Sequence, residues 1–203
     1  EGSKIFLDHI GLWKKLSLFV EPIKNINVID RSEKNKIEFS NNSRNNNLGY
    51  IIKNSKFFLT LNNILLKKKN VIFIDGIKLN KINYAINSVE GYFNNLKIGA
   101  DLIIAADGKK SAVRKILKTP FFQKRYKENA LVINFTHTYN HNNCAFEFFY
   151  QNGPLAILPM QNIYNKFQSS LIWSNQPDFL NLLFKSKDEM IKKILDEKIG
   201  STV

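Results

Sequence analysis

Near the start of the chain, Ile10, Leu12, Trp13, Leu16, Phe19 and Val20 recur at three- and four-residue intervals, with Lys14, Lys15 and Ser17 on the other side. That period predicts an amphipathic helix over residues 8–20, ended before Pro22. Ile26, Val28 and Ile29 then predict a short strand, followed by a charged segment at 30–36 and a further ordered piece beginning at 48–52. Ser55 is placed to cap a helix with the apolar face Phe57, Phe58, Leu61, Ile64 and Leu65. Lys67, Lys68 and Lys69 are expected in its last turn, where positive charge complements the helix dipole. The run Val71, Ile72, Phe73, Ile74 reads as a strand, giving a helix-to-strand crossover of the kind parallel sheets use.

Between residues 78 and 98 the period changes to two. Ile82, Tyr84 and Ile86 alternate with Lys81, Asn83 and Asn87, and Glu90-Gly91 marks a turn before Tyr92 to Ile98 returns, which predicts an antiparallel hairpin with one wet face. The hairpin leads into the stretch around which the chain is organised, residues 101–117. Leu102 to Ala106 form an apolar run of strand length, Asp107-Gly108 a tight turn, and Ser111 the start of a helical segment. Thr119-Pro120 ends that helix. Four apolar, aromatic-rich runs at 130–136, 144–150, 155–158 and 167–173 then predict a four-stranded antiparallel sheet. One of them is bracketed by Gly153-Pro154 and Pro159, residues unsuited to a regular central ladder, so a strand with fixed, kinked ends is expected. Pro177 begins a short helix through Phe184, and Ser186-Lys187-Asp188-Glu189 has the spacing of a capping box before Met190, Ile191, Ile194 and Leu195.

Composition narrows the classes. A length of 203 residues with 44% hydrophobic content suits one good-sized domain or two small ones. No window has the apolar length that spans a bilayer, and no signal segment opens the chain. The first residue is Glu1 and the last residues trail off a helix, so a fragment of a longer protein is expected. The single cysteine, Cys144, excludes an intrachain disulfide framework and fits a reducing compartment. A net charge of +13 is compatible with a nucleic-acid or anionic-membrane partner. Most of the excess is Lys, however, and it arrives with abundant Asn, Ile and Phe, as expected of an A+T-rich coding sequence; no nucleic-acid partner is expected. The Asn-rich stretch 41–47 reads as a solvated loop.

Candidate chemistry centres on the Asp-Gly turn. A carboxylate and a side-chain-free backbone at the carboxyl end of a buried strand lie where open α/β sheets bind ligands. Asp107 can accept hydrogen bonds from a ribose, and Gly108 lets a ligand approach the main chain; a plain turn explains the same pair. His9, His137 and His141 are scattered, Cys144 lies in an apolar run, and no metal-ligand spacing occurs. No Gly-x-Gly-x-x-Gly and no phosphate-loop sequence is present.

Taken together, residues 106–114, residues 145–149, the Gly-Pro-Leu-Ala-Ile-Leu-Pro-Met segment at 153–160 and residues 169–174 resemble the ubiquinone-biosynthesis hydroxylases. Those enzymes are FAD-dependent aromatic monooxygenases of the p-hydroxybenzoate hydroxylase superfamily. Residues 11–13, 29–32 and 48–54 fit the same family in the same order. The resemblance implies a mixed α/β fold in which part of an FAD-binding Rossmann-like domain is interleaved with an antiparallel-sheet substrate domain. The implied divisions are 1–54 as the junction, 55–118 as the FAD part and 119–203 as the substrate domain.

By position, Asp107 and Gly108 match the superfamily's second cofactor motif. Arg114 matches its Arg, expected to brace the loop or meet a phosphate, with a salt bridge to a neighbouring carboxylate as the structural alternative. Gly153, Pro154, Leu158 and Pro159 would border a polyprenyl-phenol pocket. No catalytic residue is assigned and no metal is implied. The implied reaction uses FAD, oxygen and an electron donor, NAD(P)H or a redox protein. The implied setting is cytoplasmic, at the inner face of a membrane or within a biosynthetic complex. A catalytically silent homologue is the alternative. Ala105 stands where the family often has Gly, and Lys53 where an acidic residue is common. The family's Gly-x-Gly-x-x-Gly and Gly-Asp flavin motifs are expected outside this stretch.

Overall fold

The computed structural model describes residues 2–33, 35–40 and 47–200; the expected Asn-rich loop lies, except for Asn47, outside them. The fold is mixed α/β and divides into two compact units, one of residues 1–65 with 126–203 and one of residues 66–125.

The larger unit is built on a six-stranded sheet. Its strands are β2 (Asn25–Asp30), β3 (Lys36–Ser40), β8 (Asn129–His137), β9 (Cys144–Tyr150), β10 (Gly153–Ile163) and β11 (Lys166–Asn175), in the order β3-β2-β9-β10-β11-β8. The four predicted strands form, but the sheet is larger and mixed, because β2 joins parallel to β9 with Ile26 opposite Ala145 and Ile29 opposite Phe148. The strand does not end at either proline, although its register with β11 shifts between Met160 and Ile163, just beyond Pro159. Pro154 pairs with Phe149 of β9 and Pro159 with Ser169 of β11, so both prolines sit inside β10. Pro159 lies two residues beyond Ile157, the last residue of β10 to pair with β9, where the strand is relieved of one ladder.

Alternation along the strands puts Phe148, Leu155, Ile157, Leu171 and Trp173 on one face, packed with Leu183, Leu195 and Ile199. The last three come from α5 (Pro177–Lys185) and α6 (Asp188–Ile199). Pro177 starts α5 because its missing N–H is not needed in the first turn. The expected capping box does not form. Lys187 occupies the N-cap of α6 without a side-chain cap, and Ser186 Oγ donates back to the Leu182 carbonyl at 2.9 Å.

The amino-terminal helix also differs from expectation. Gly11, at φ +72, breaks it into α1 (Gly2–His9) and a short α2 (Trp13–Leu16) with a turn of 3₁₀ helix at Ser17–Phe19. Val20 already belongs to β1 (Val20–Ile23), which runs through Pro22 and pairs with β4 (Gly49–Ile52) as a two-stranded ribbon. α3 (Asn54–Leu65) forms where a helix was expected, but Ser55 lies inside its first turn and does not cap it, and the lysine triplet lies beyond its end and not in its last turn.

The smaller unit holds a three-stranded antiparallel meander where a hairpin was expected: β5 (Leu79–Tyr84), β6 (Val89–Phe93) and β7 (Leu96–Ala100). Glu90 and Gly91 lie inside β6; the chain turns at 85–88 and again at Asn94, which takes φ +48. The runs 71–74 and 102–106 are in no ladder, contrary to the strands predicted for them. Ile72 and Ile104 are 87% and 80% exposed.

Candidate functional site

The Asp-Gly loop forms locally. Ser111 is the N-cap of α4 (Ala112–Ile116), and its Oγ accepts from the Arg114 N–H at 3.0 Å. Asp107 Oδ2 accepts from the Ala112 and Val113 N–H groups at 2.6 and 3.2 Å, so two otherwise unpaired donors of the first turn meet a carboxylate. Hydrogen bonds from the Ser111 hydroxyl and from these two amides hold the Asp107 carboxyl below the usual aspartate value. Gly108 takes φ +75, and a Cβ there would meet no atom within 4 Å, so its main chain faces open space.

Arg114 braces the loop. Its Nη2 donates to the Lys109 carbonyl at 2.6 Å and its guanidinium lies 4.3 Å from the Phe121 ring centre. Among the described residues Arg114 has no salt bridge, and its Nε is a buried donor with no hydrogen-bond partner. An open glycine backbone and an orphaned cationic donor beside a capped helix fit the phosphate- or ribose-bearing part of a nucleotide cofactor.

In the larger unit the four pocket candidates separate. Pro154 and Leu158 share, with Ala156, the sheet face opposite the α5–α6 core, whereas Pro159 points to the core side and is fully buried. Gly153 takes φ +124, and a Cβ there would clash with the Ser174 carbonyl oxygen, so its role is to let β10 and β11 approach. Glu147 pairs with Ala156 and Val28, which puts a carboxylate amid that apolar face. Burial pushes its pKa up. Motif reading passed over Glu147; the alternation Ala145, Glu147, Phe149 in a strand flanked by apolar ones was the available signal.

An apolar cavity of about 810 Å³ lies elsewhere in the same unit, lined by Phe6, Leu7, Trp13, Leu16, Tyr50 and Phe57 among others, and none of the four candidates borders it. The histidines are less scattered than their sequence positions suggest. His137 Nε2 lies 2.9 Å from Ser169 Oγ, and its ring centre is 6.3 Å from that of His141. Cys144 Sγ accepts from Asn27 Nδ2. Among the described residues no group of three or more His, Cys, Asp or Glu could hold a metal, and no helix is long and apolar enough to cross a membrane.

Against known proteins, the chain is 26% identical over 195 residues to the ubiquinone hydroxylase UbiL of Rhodospirillum rubrum, covering 96% of this chain and 44% of that protein. The chain resembles the ubiquinone-biosynthesis hydroxylases over nearly its whole length. A mitochondrial ubiquinone biosynthesis monooxygenase of Drosophila melanogaster is 24% identical over 182 residues, covering 86% of this chain and 37% of that protein. The chain thus spans less than half the length of these hydroxylases. No protein-family model matches it.

The fold is that of FAD-dependent monooxygenases. PqsL, a probable FAD-dependent monooxygenase from Pseudomonas aeruginosa, superposes with a TM-score of 0.74 at 15% identity, over 93% of this chain and 53% of that one. HpxO of Klebsiella pneumoniae, solved with FAD and uric acid, gives 0.61 at 17% identity, over 83% and 44%.

Proposed function

We propose that this chain is part of an FAD-dependent monooxygenase that hydroxylates the aromatic ring of a polyprenyl-phenol in ubiquinone biosynthesis. The observation that carries the reading is the match to a ubiquinone hydroxylase along 96% of the chain. The Asp107-Gly108 loop supports it, because its geometry suits a nucleotide cofactor. When bound, FAD would supply the oxygen-activating redox chemistry. In this chain Asp107 orders the loop from within, Gly108 leaves the backbone open to the cofactor, and Arg114 fixes the loop's shape and keeps one donor free. NAD(P)H or a redox protein would provide electrons.

On the substrate side, Pro154, Ala156 and Leu158 offer an apolar sheet face for a phenol ring. The proposed division of labour follows the resemblance, with residues 55–118 serving FAD and 119–203 serving substrate. The enzyme would work in the cytoplasm at the inner face of a membrane.

The test is to express the full-length gene product with FAD and a reductant and to analyse prenyl-phenol substrate by mass spectrometry. A product heavier by one oxygen atom, and reduced flavin affinity in Asp107→Ala, are expected. Failure to bind flavin would sink the reading, and flavin binding without hydroxylation would favour the silent homologue.

A further inference from the structure

A second cavity, of about 630 Å³, opens on the helix-covered side of the six-stranded sheet, where the end of β2 and the β9–β10 turn meet α5 and α6. Its volume is that of a small-molecule site. Trp173 lines it, is 2% exposed, and has an indole Nε1 with no hydrogen-bond partner. A buried N–H is costly to leave unpaired, so such a donor marks a place where an acceptor belongs.

Two cations share the wall. Arg31 Nη2 donates to the Lys198 carbonyl at 3.3 Å while its guanidinium lies 4.9 Å from the Phe148 ring centre, and Lys198 Nζ lies 4.5 Å from that of Tyr150. No Asp or Glu lines the cavity, and neither cation has an ion-pair partner among the described residues. Tyr150 donates its hydroxyl to the same Lys198 carbonyl at 2.6 Å, which fixes the carboxyl end of α6 against β9 and holds the two cations near each other. Part of the remaining wall is aromatic, Phe179 standing edge-on to Trp173 with ring centres 5.1 Å apart, and the rest is mostly neutral and polar, from Ser32, Gln151, Asn152, Asn175 and Gln176. Positive charge without a counter-ion, an unpaired N–H and aromatic walls together select an anion attached to a ring.

We propose that this cavity binds a planar ring carrying a carboxylate or phosphate group, with Arg31, Lys198 and the Trp173 indole N–H meeting the anion and Tyr150 and Phe179 flanking the ring. It shares no residue with the Asp-Gly loop or with the Pro154–Leu158 face, so it is a second site and does not depend on the hydroxylase reading.

The test uses the full-length protein labelled with 5-fluorotryptophan, the Trp173 fluorine resonance being assigned by its loss in Trp173→Phe. Benzoate, AMP, inorganic phosphate and benzylamine are titrated in turn. Saturable shifts with benzoate or AMP are expected, weaker ones with inorganic phosphate and none with benzylamine. Response to benzoate alone identifies a carboxylate ligand, and response to AMP alone a phosphate ligand. Lys198→Gln, a half-buried change on α6 that keeps the backbone carbonyl bound by Tyr150 and Arg31, should weaken binding about tenfold, and Arg31→Gln, an exposed change, by a similar factor. Calorimetry on Trp173→Phe should also show weaker binding, since an aromatic ring stays while the N–H and the five-membered ring that carries it are lost. No saturable shift with either ring-bearing anion, an equal response to benzylamine, or unchanged affinity in Lys198→Gln and Arg31→Gln would overturn the proposal.

Discussion

In the larger unit Phe148, Leu155 and Leu171 are completely buried beneath α5 and α6, whereas in the smaller unit the apolar runs 71–74 and 102–106 leave Ile72 and Ile104 almost bare. None of the buried hydrophobic residues falls within 66–125; Gly91 and Ser111 are the only described residues buried there. Both units carry sequence with strand-like hydrophobicity. Hydrophobic side chains make a strand only where a neighbouring strand completes the hydrogen-bond ladder and another layer covers the face. In the larger unit β9, β10 and β11 do this for one another. In the smaller unit the meander pairs only with itself, and the two apolar runs have neither ladder nor cover. The local chemistry of the Asp-Gly loop is complete all the same, because its hydrogen-bond partners lie within eight residues of one another.

The contrast can be broken most directly by core truncation. Leu155→Ala should cost about 3 kcal/mol in equilibrium denaturation, from lost burial and the cavity left behind. Ile104→Ala should stay within about 0.5 kcal/mol in the same chain, as an exposed substitution. Equal costs would mean that the smaller unit hides a core.

Gly153→Ala should lose about 2 kcal/mol, from positive φ and the clash with the Ser174 carbonyl. Gly108→Ala, strained in φ but with open space around it, should lose about 1 kcal/mol, read as weaker amide protection in the loop alone. A global loss from Gly108→Ala would make the loop part of the folding core. Ser111→Ala should cost about 1 kcal/mol of α4 stability, seen as faster exchange of the Arg114 amide.

The smallest effects are in pH. Asp107 has a lowered folded-state pKa, so its stabilisation of the loop is present above the unfolded aspartate value and is lost as pH falls through the folded one. The Ala112 and Val113 amide resonances should report that titration below the ordinary aspartate range. Glu147 has the opposite sign. Its pKa is raised by burial, so its stabilising contribution is present below the unfolded glutamate value and is lost as pH rises through the folded one. Glu147→Gln should therefore gain thermal stability relative to the parent at pH 7 and not at pH 4. A matching gain at both pH values would show that ionisation is not the cause.

Sequence period and turn chemistry determined what depends on near neighbours. The strand at Cys144–Tyr150 has the limits the sequence predicts, α5 starts at Pro177 as expected, and Ser111 caps α4 as its spacing indicates, whereas α3 starts at Asn54 and takes Ser55 inside its first turn. The candidate loop was legible for the same reason, since Asp107, Gly108, Ser111 and Arg114 satisfy one another within eight residues. The unpartnered Arg114 Nε was not legible in the sequence, because it becomes visible only once every partner is placed.

Tertiary structure alone decided the long-range pairings. It aligned β2 parallel to β9 across more than a hundred residues of chain, admitted Pro154 and Pro159 into a central strand, and withheld a ladder from Val71 to Ile74 and from Leu102 to Ala106. It also gathered Arg31, Trp173 and Lys198 around one cavity from three distant segments. A hydrophobic pattern states how much apolar surface a segment must bury; which partner buries it is set by contacts between segments far apart in the chain, and no local period encodes those.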